Sequence, residues 1–149
     1  MILACGEALI DMLPRKSTAG EEAFAPFAGG AVYNTAIALG RLGAPTGFFS
    51  GLSADFLGQI LRDGLAEIGV DAAPCVISQR PCTVAFVKLV DGQATYAFYD
   101  ENTAGRMLTE ADLPQVSAEA LFFGGISVVA EPFGSAYDAL MLREAPRKA

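Results

Sequence analysis

The chain has 149 residues, 52% of them hydrophobic and 18% charged, and its mean hydropathy of +0.39 excludes an intrinsically disordered chain and fits one domain or part of a larger one. Ten basic against 17 acidic side chains give a net charge of −7 with no basic stripe, which argues against nucleic acid as a partner. The apolar runs Ala120 to Phe123 and Ile126 to Ala130 are far shorter than the roughly 18 residues a membrane span needs, and no cationic leader opens the chain, so the reading is a cytoplasmic protein.

In chain order, Ile2 to Leu13 is apolar and strand-like around Gly6-Glu7. Pro14 to Gly20 reads as a polar turn, and Glu22 to Ala28 as an extended stretch carrying Phe24 and Phe27. After Gly29-Gly30, the Ala- and Leu-rich segment Ala31 to Leu42 predicts an amphipathic helix stopped by Gly43 and Pro45. Thr46 to Leu52 is a buried strand. Asp55 to Ile68 is a second helix, with Leu57, Ile60, Leu61, Leu65 and Ile68 on one face and Gly69 as its stop. Thr83 to Val90 and Gln93 to Tyr99 form an antiparallel hairpin about a tight turn at Asp91-Gly92. Leu121 to Val129 is again a strand. Pro132 opens a last helix with Phe133, Tyr137, Leu140 and Met141 on one face, and Arg143 to Ala149 is a polar end. Strands alternating with helices specify an α/β chain with a parallel sheet, interrupted by one hairpin.

Histidine is absent, so no Ser-His-Asp triad, Cys-His pair or His metal ligand can form within the chain. Cys5, Cys75 and Cys82 are an odd set without Cys-x-x-Cys spacing and read as reduced apolar side chains. No Gly-x-Gly-x-x-Gly follows the first strand and no Gly-Lys pair exists, so neither a dinucleotide fingerprint nor a Walker A loop is written here.

Two segments can carry chemistry. Gly29-Gly30 leads into a helix whose first turn holds Asn34; backbone without Cβ admits a ligand closely, a helix start offers unpaired N–H donors, and Asn34 both donates and accepts. That combination suits a neutral polyhydroxyl ligand, and equally a simple chain turn with a solvated Asn34. Asp11 ends an apolar strand, where open α/β sheets collect ligands, and it suits hydroxyl recognition as readily as an exposed turn. Glu7 reads as structural. Gly124-Gly125 with Ser127 reads as a close-packed strand.

Gly6-Glu7 with Asp11, Gly29-Gly30-Ala31-x-x-Asn34-x-Ala36 and Leu39-Gly40-Arg41-Leu42-Gly43 resemble the N-terminal half of ribokinase-like (PfkB) carbohydrate kinases, in particular the fructokinase-like branch. Phe48-Phe49-Ser50-Gly51-Leu52-Ser53-x-Asp55-x-x-Gly58, Gly69-Val70-Asp71, the hairpin and Gly124-Gly125-Ile126-Ser127 follow in family order, with departures at Val32 and Ser53.

The resemblance implies the N-terminal part of a three-layer ribokinase-like fold with a mainly parallel sheet, spanning residues 1–149, plus a small β lid built from about residues 11–27 and 83–99. It implies that Asp11, Gly29, Gly30 and Asn34 grip sugar hydroxyls and that Phe98 covers the sugar. It implies transfer of the ATP γ-phosphoryl group to a primary hydroxyl with Mg²⁺, and a β lid that can also serve as a homodimer surface. The family's catalytic Gly-Ala-Gly-Asp motif is missing from these residues. Thr103-Ala104-Gly105-Arg106 comes nearest, and it ends in a cation where a base must be a carboxylate. The expectation is therefore the sugar-binding half of a sugar kinase with a fructose-like substrate, holding no catalytic residue, ATP or metal by itself. A stand-alone sugar-binding or regulatory module is the alternative, and an unrelated α/β nucleotide-binding domain is disfavoured by the missing loops.

Overall fold

Ile2-Leu3-Ala4-Cys5 is apolar at every position because it lies between two layers of helix. In the computed structural model, which describes residues 1–90, 93–115 and 117–144, β1 (Ile2–Cys5) is the centre of a parallel sheet. It is flanked by β4 (Thr46–Phe49) and β9 (Ala120–Phe123), with Ala4 opposite both Phe48 and Phe122. Alternation sends Leu3, Cys5 and Phe49 to one side, onto Phe133, Tyr137 and Leu140 of α3 (Phe133–Glu144). Ala4 and Phe48 face the other side. There they meet Val32, Tyr33 and Ala36 of α1 (Ala31–Arg41) and Leu61 and Leu65 of α2 (Phe56–Ile68). Helices on both faces of a parallel sheet give a three-layer α/β arrangement.

A second sheet has strand order β3-β2-β7-β8, built from β2 (Leu9–Lys16), β3 (Glu22–Gly29), β7 (Val84–Val90) and β8 (Gln93–Tyr99). β7 and β8 pair antiparallel, as the hairpin expectation required; its turn, Asp91-Gly92, lies outside the described residues. Two short parallel strands, β5 (Gly51–Ser53) and β6 (Val76–Ser78), complete the framework.

Several expectations change in detail. Ile2 to Leu13 is two strands in two different sheets, because the chain turns at Gly6-Glu7-Ala8. The polar turn shrinks to Ser17–Gly20: β2 continues through Pro14, and Pro26 sits on the edge strand β3, where a missing N–H costs no ladder bond. Thr46 to Leu52 divides at Ser50 between two sheets. The strand expected over Leu121 to Val129 stops at Phe123, and Gly125–Val128 is a single 3₁₀ turn. Met141 is not in the core; it is 42% exposed while Tyr137 and Leu140 are buried. Residues 145–149 of the polar end lie outside the described residues.

α2 begins and ends as its sequence predicts. Asp55 caps it, its carboxylate accepting from the Gly58 N–H at 2.7 Å, and Gly69 ends it in the left-handed conformation at φ 76°. The same carboxylate accepts from the Cys82 N–H at 3.1 Å, joining the helix start to the approach to β7. Burial works against this charge. The hydrogen bonds from Gly58, Ser53, Cys82 and Leu57 outweigh burial and hold Asp55 below the usual carboxylate range. A depressed folded value means stability that is complete above the ordinary carboxylate pKa and lost as pH falls through the folded one. Asp55→Ala should therefore cost about 1 to 2 kcal/mol at neutral pH, and the gap from wild type in urea denaturation should close below about pH 4.

Candidate acceptor-binding site

The start of α1 is built without a capping side chain. Gly30 occupies the N-cap at φ 105°, a conformation that favours glycine, and it makes no side-chain hydrogen bond. Glu7 supplies the cap from 24 residues away. Its Oε1 accepts from the Ala31 N–H at 2.9 Å and the Val32 N–H at 3.4 Å, and its backbone carbonyl accepts from the Tyr33 N–H at 3.2 Å. Its Oε2 accepts from the Ser127 hydroxyl at 2.9 Å. Gly125 turns at φ 71°, and a Cβ there would stand 2.1 Å from Glu7 Oε1. Glu7 is structural, as its sequence position suggested. Two expectations fall with this finding. The first-turn amides of α1 are not open to a ligand, because Glu7 already occupies them, and Gly124-Gly125 is no strand, because the backbone must turn around the carboxylate.

Contrary to expectation, Asp11 does not end a strand of the parallel sheet; the chain has already crossed into the four-stranded sheet, where Asp11 lies within β2, opposite Phe27 on β3 and Ala85 on β7, and Ala85 in turn is opposite Phe98 on β8. Directly paired residues share a sheet face, so Phe27, Asp11, Ala85 and Phe98 form one row. Two strand spacings of ~4.8 Å set Asp11 about 10 Å from Phe98. Gly29 is glycine for the sake of Asp11: a Cβ there would lie 2.2 Å from Asp11 Oδ2. Among the described residues no side chain or backbone group hydrogen-bonds this carboxylate, and its partial burial raises its pKa above the ordinary value of 3.8. Asn34 is exposed one turn into α1. The structure thus brings Asp11, Gly29 and Phe98 onto one sheet, places Gly30 against the Glu7 carbonyl at 2.8 Å from a would-be Cβ, and leaves Asn34 on the helix surface.

Phe98 also borders a crevice that holds Ala8, Thr83, Ile126 and Arg106. Beside it opens a recess of about 390 Å³ lined by Asp100, Glu101, Asn102, Arg106, Met107 and Glu131. Sequence reasoning met Arg106 only as a failed match to a catalytic motif; no sequence signal marked its pairing with Asp100. Among the described residues no group of three or more His, Cys, Asp or Glu could hold a metal ion, and no helix is long and apolar enough to cross a membrane.

With this geometry in view, the likenesses to known proteins are specific. The profile of the pfkB family carbohydrate kinases matches residues 1–144. A fructokinase of Rhizobium leguminosarum bv. trifolii is 63% identical over 147 residues, covering 97% of this chain and 45% of that protein. Fructokinase-1 of Oryza sativa subsp. japonica is 37% identical over 145 residues, covering 92% and 45%. The crystal structure of a fructokinase with bound ATP from Xylella fastidiosa superposes with a TM-score of 0.87 at 30% identity, covering 95% of this chain and 47% of that one. The chain belongs to the pfkB family of carbohydrate kinases and has the ribokinase-like α/β fold, and it spans about half the length of the relatives it matches.

If Glu7 anchors the start of α1, Glu7→Gln should cost about 1 to 2 kcal/mol by weakening its charged hydrogen bonds. Glu7→Ala, which strands buried donors, should cost about 3 kcal/mol or more. Chemical denaturation measures both; two near-neutral variants would show that the anchor lies elsewhere.

Proposed function

We propose that this chain forms the acceptor-binding part of an ATP-dependent sugar kinase acting on a fructose-like sugar. The observation that carries the reading is Asp11: a half-buried carboxylate that no described group hydrogen-bonds, seated against Gly29 on the sheet face that also carries Phe98. A carboxylate left in that state has acceptor capacity for ligand hydroxyls. Asn34 adds a donor and an acceptor from α1. Phe98, 39% exposed, offers an apolar surface that covers the sugar and excludes water. The fructokinase that is 63% identical along nearly the whole chain supports the same choice of acceptor.

ATP with its magnesium, when bound, supplies the phosphoryl group. In this reading the described residues work on the acceptor side: they hold the hydroxyls, orient them and keep water out. In this reading the four-stranded sheet is the lid, and its exposed Phe24, Tyr96 and Tyr99 suit it to a homodimer contact. A cytoplasmic location goes with it, since Cys5, Cys75 and Cys82 are free thiols, each pushed up to about 12 chiefly by burial.

Calorimetry with fructose tests the reading directly. Asp11→Ala and Asn34→Ala should each weaken binding about tenfold or more, the size expected of a lost polar or charged hydrogen bond. Affinity should also fall on acidification, beginning above the ordinary carboxylate range because the folded pKa of Asp11 is raised. Stability moves the other way. A raised folded pKa penalises folding once pH exceeds it and costs nothing below the unfolded value, so Asp11→Asn should leave the melting temperature at neutral pH unchanged or higher. Unchanged fructose affinity with a large fall in melting temperature would make Asp11 a structural residue instead.

The chain by itself should show no ATP-dependent fructose phosphorylation above a no-protein control, since it offers no carboxylate at a Gly-Ala-Gly-Asp position to take the hydroxyl proton. Turnover in a coupled ADP assay would refute this division of labour.

A further inference from the structure

We infer that Asp100 and Arg106 form a hydroxyl-reading pair at the Phe98 end of the site that admits neutral sugars and rejects phosphorylated or carboxylated ones; this rests on the acceptor-binding reading given above. The guanidinium of Arg106 is fixed from three directions. Its Nη1 donates to the Asp100 carboxylate, its Nε donates to the Glu131 carbonyl, and its Cζ lies over the Phe133 ring, 5.5 Å from the ring centre. Those two hydrogen bonds leave three of its five N–H groups for a ligand. The loop that carries the pair is itself anchored: the Thr83 hydroxyl donates to Thr103 Oγ1 at 2.8 Å, and the Thr103 hydroxyl donates to the Asp100 carbonyl at 2.8 Å.

Arg106 and Asp100 border both the crevice beside Phe98 and the adjoining recess of about 390 Å³. A carboxylate beside a guanidinium meets a hydroxyl from both sides: the carboxylate accepts a hydrogen bond from its O–H and the guanidinium donates to its oxygen. An anion meets something different. The recess is lined by Asp100, Glu101 and Glu131 against the one cation Arg106, an excess of two negative charges, with the Glu131 carboxylate also accepting from the Ser135 N–H at 3.3 Å. Asp100 already neutralises the guanidinium, so a phosphate or carboxylate on the ligand gains no free cation and approaches like charges. Asp100 is therefore the element that sets the sign of this end of the site.

The test is calorimetry of the chain with fructose, fructose 6-phosphate and gluconate. Wild type should bind fructose at least tenfold more tightly than either anion. Asp100→Asn, which frees the guanidinium and removes one negative charge, should weaken fructose binding about tenfold and narrow or reverse that preference. The gain in anion affinity is a result that misfolding cannot produce. Arg106→Gln, the second variant, should also weaken fructose about tenfold without any gain for the anions, and it decides the question if Asp100→Asn does not fold. Fructose affinity lost in Asp11→Ala but unchanged in both Asp100→Asn and Arg106→Gln overturns the pair and leaves the acceptor-binding reading standing. Tighter binding of an anionic sugar by wild type also overturns it. A wild-type chain that binds none of the three refutes the acceptor-binding reading and the pair with it.

Discussion

The carboxylate of Glu7 is the interaction on which the arrangement of the site depends. It sits where β1 leaves the parallel sheet and the chain crosses into the four-stranded one, and it holds the first amides of α1 and the Ser127 hydroxyl at once. A helix whose N-cap is a glycine has no local means of satisfying those amides. The cap is supplied at long range, so α1 starts where Glu7 is, and Gly29-Gly30 and Asn34 follow from that placement. The negative side chain also meets the positive end of the helix dipole, which adds to the hydrogen bonds. Tyr137 fastens the same corner from below, its hydroxyl donating to the Gly6 carbonyl at 3.2 Å.

The fold was legible wherever periodicity and punctuation agreed. α2 has a capping Asp55, a continuous apolar face and a glycine stop, and these alone give its range to within a residue. The β7–β8 hairpin was equally plain from its β-branched and aromatic residues. The boundaries that misread share one cause. Ile2 to Leu13, Thr46 to Leu52 and Leu121 to Val129 are mostly apolar, and each is cut where the chain passes from one sheet to another or turns around a buried polar group. Hydrophobicity reports burial, and a chain crossing between two sheets stays buried without staying straight. The break at Gly125 becomes visible only when Glu7, 118 positions away, is known to occupy the space a side chain would need.

The residue types of the candidate site stood out in the sequence, while their local structural reasons did not. Gly29-Gly30 stood out as a place for a ligand to approach, yet its glycines answer first to the protein itself: Gly29 to the Asp11 carboxylate and Gly30 to a positive φ beside the Glu7 carbonyl. The row from Phe27 through Asp11 and Ala85 to Phe98 joins residues up to 87 positions apart, and only strand register reveals it. The anchoring of Arg106 was invisible in the sequence because its partners, Asp100, the Glu131 carbonyl and the Phe133 ring, come together through a loop and a helix that no single motif spans.

Glu7, Asp100 and Asp11 are three of the carboxylates of this region, and their surroundings differ. Glu7 is used up internally, with two backbone N–H groups and a hydroxyl filling its acceptor sites. Asp100 is paired with a guanidinium that is itself held against an aromatic ring. Asp11 has neither kind of partner among the described residues. Burial raises its pKa, so the folded chain holds this group at a cost that no protein contact offsets. The sheet keeps this carboxylate beside Gly29, diagonally across on β3, and gives it no donor among the described residues; in the proposed reading the donors come from a ligand. In that reading sugar hydroxyls are donors of the right strength, and they carry no charge that would conflict with the acidic recess beyond Phe98.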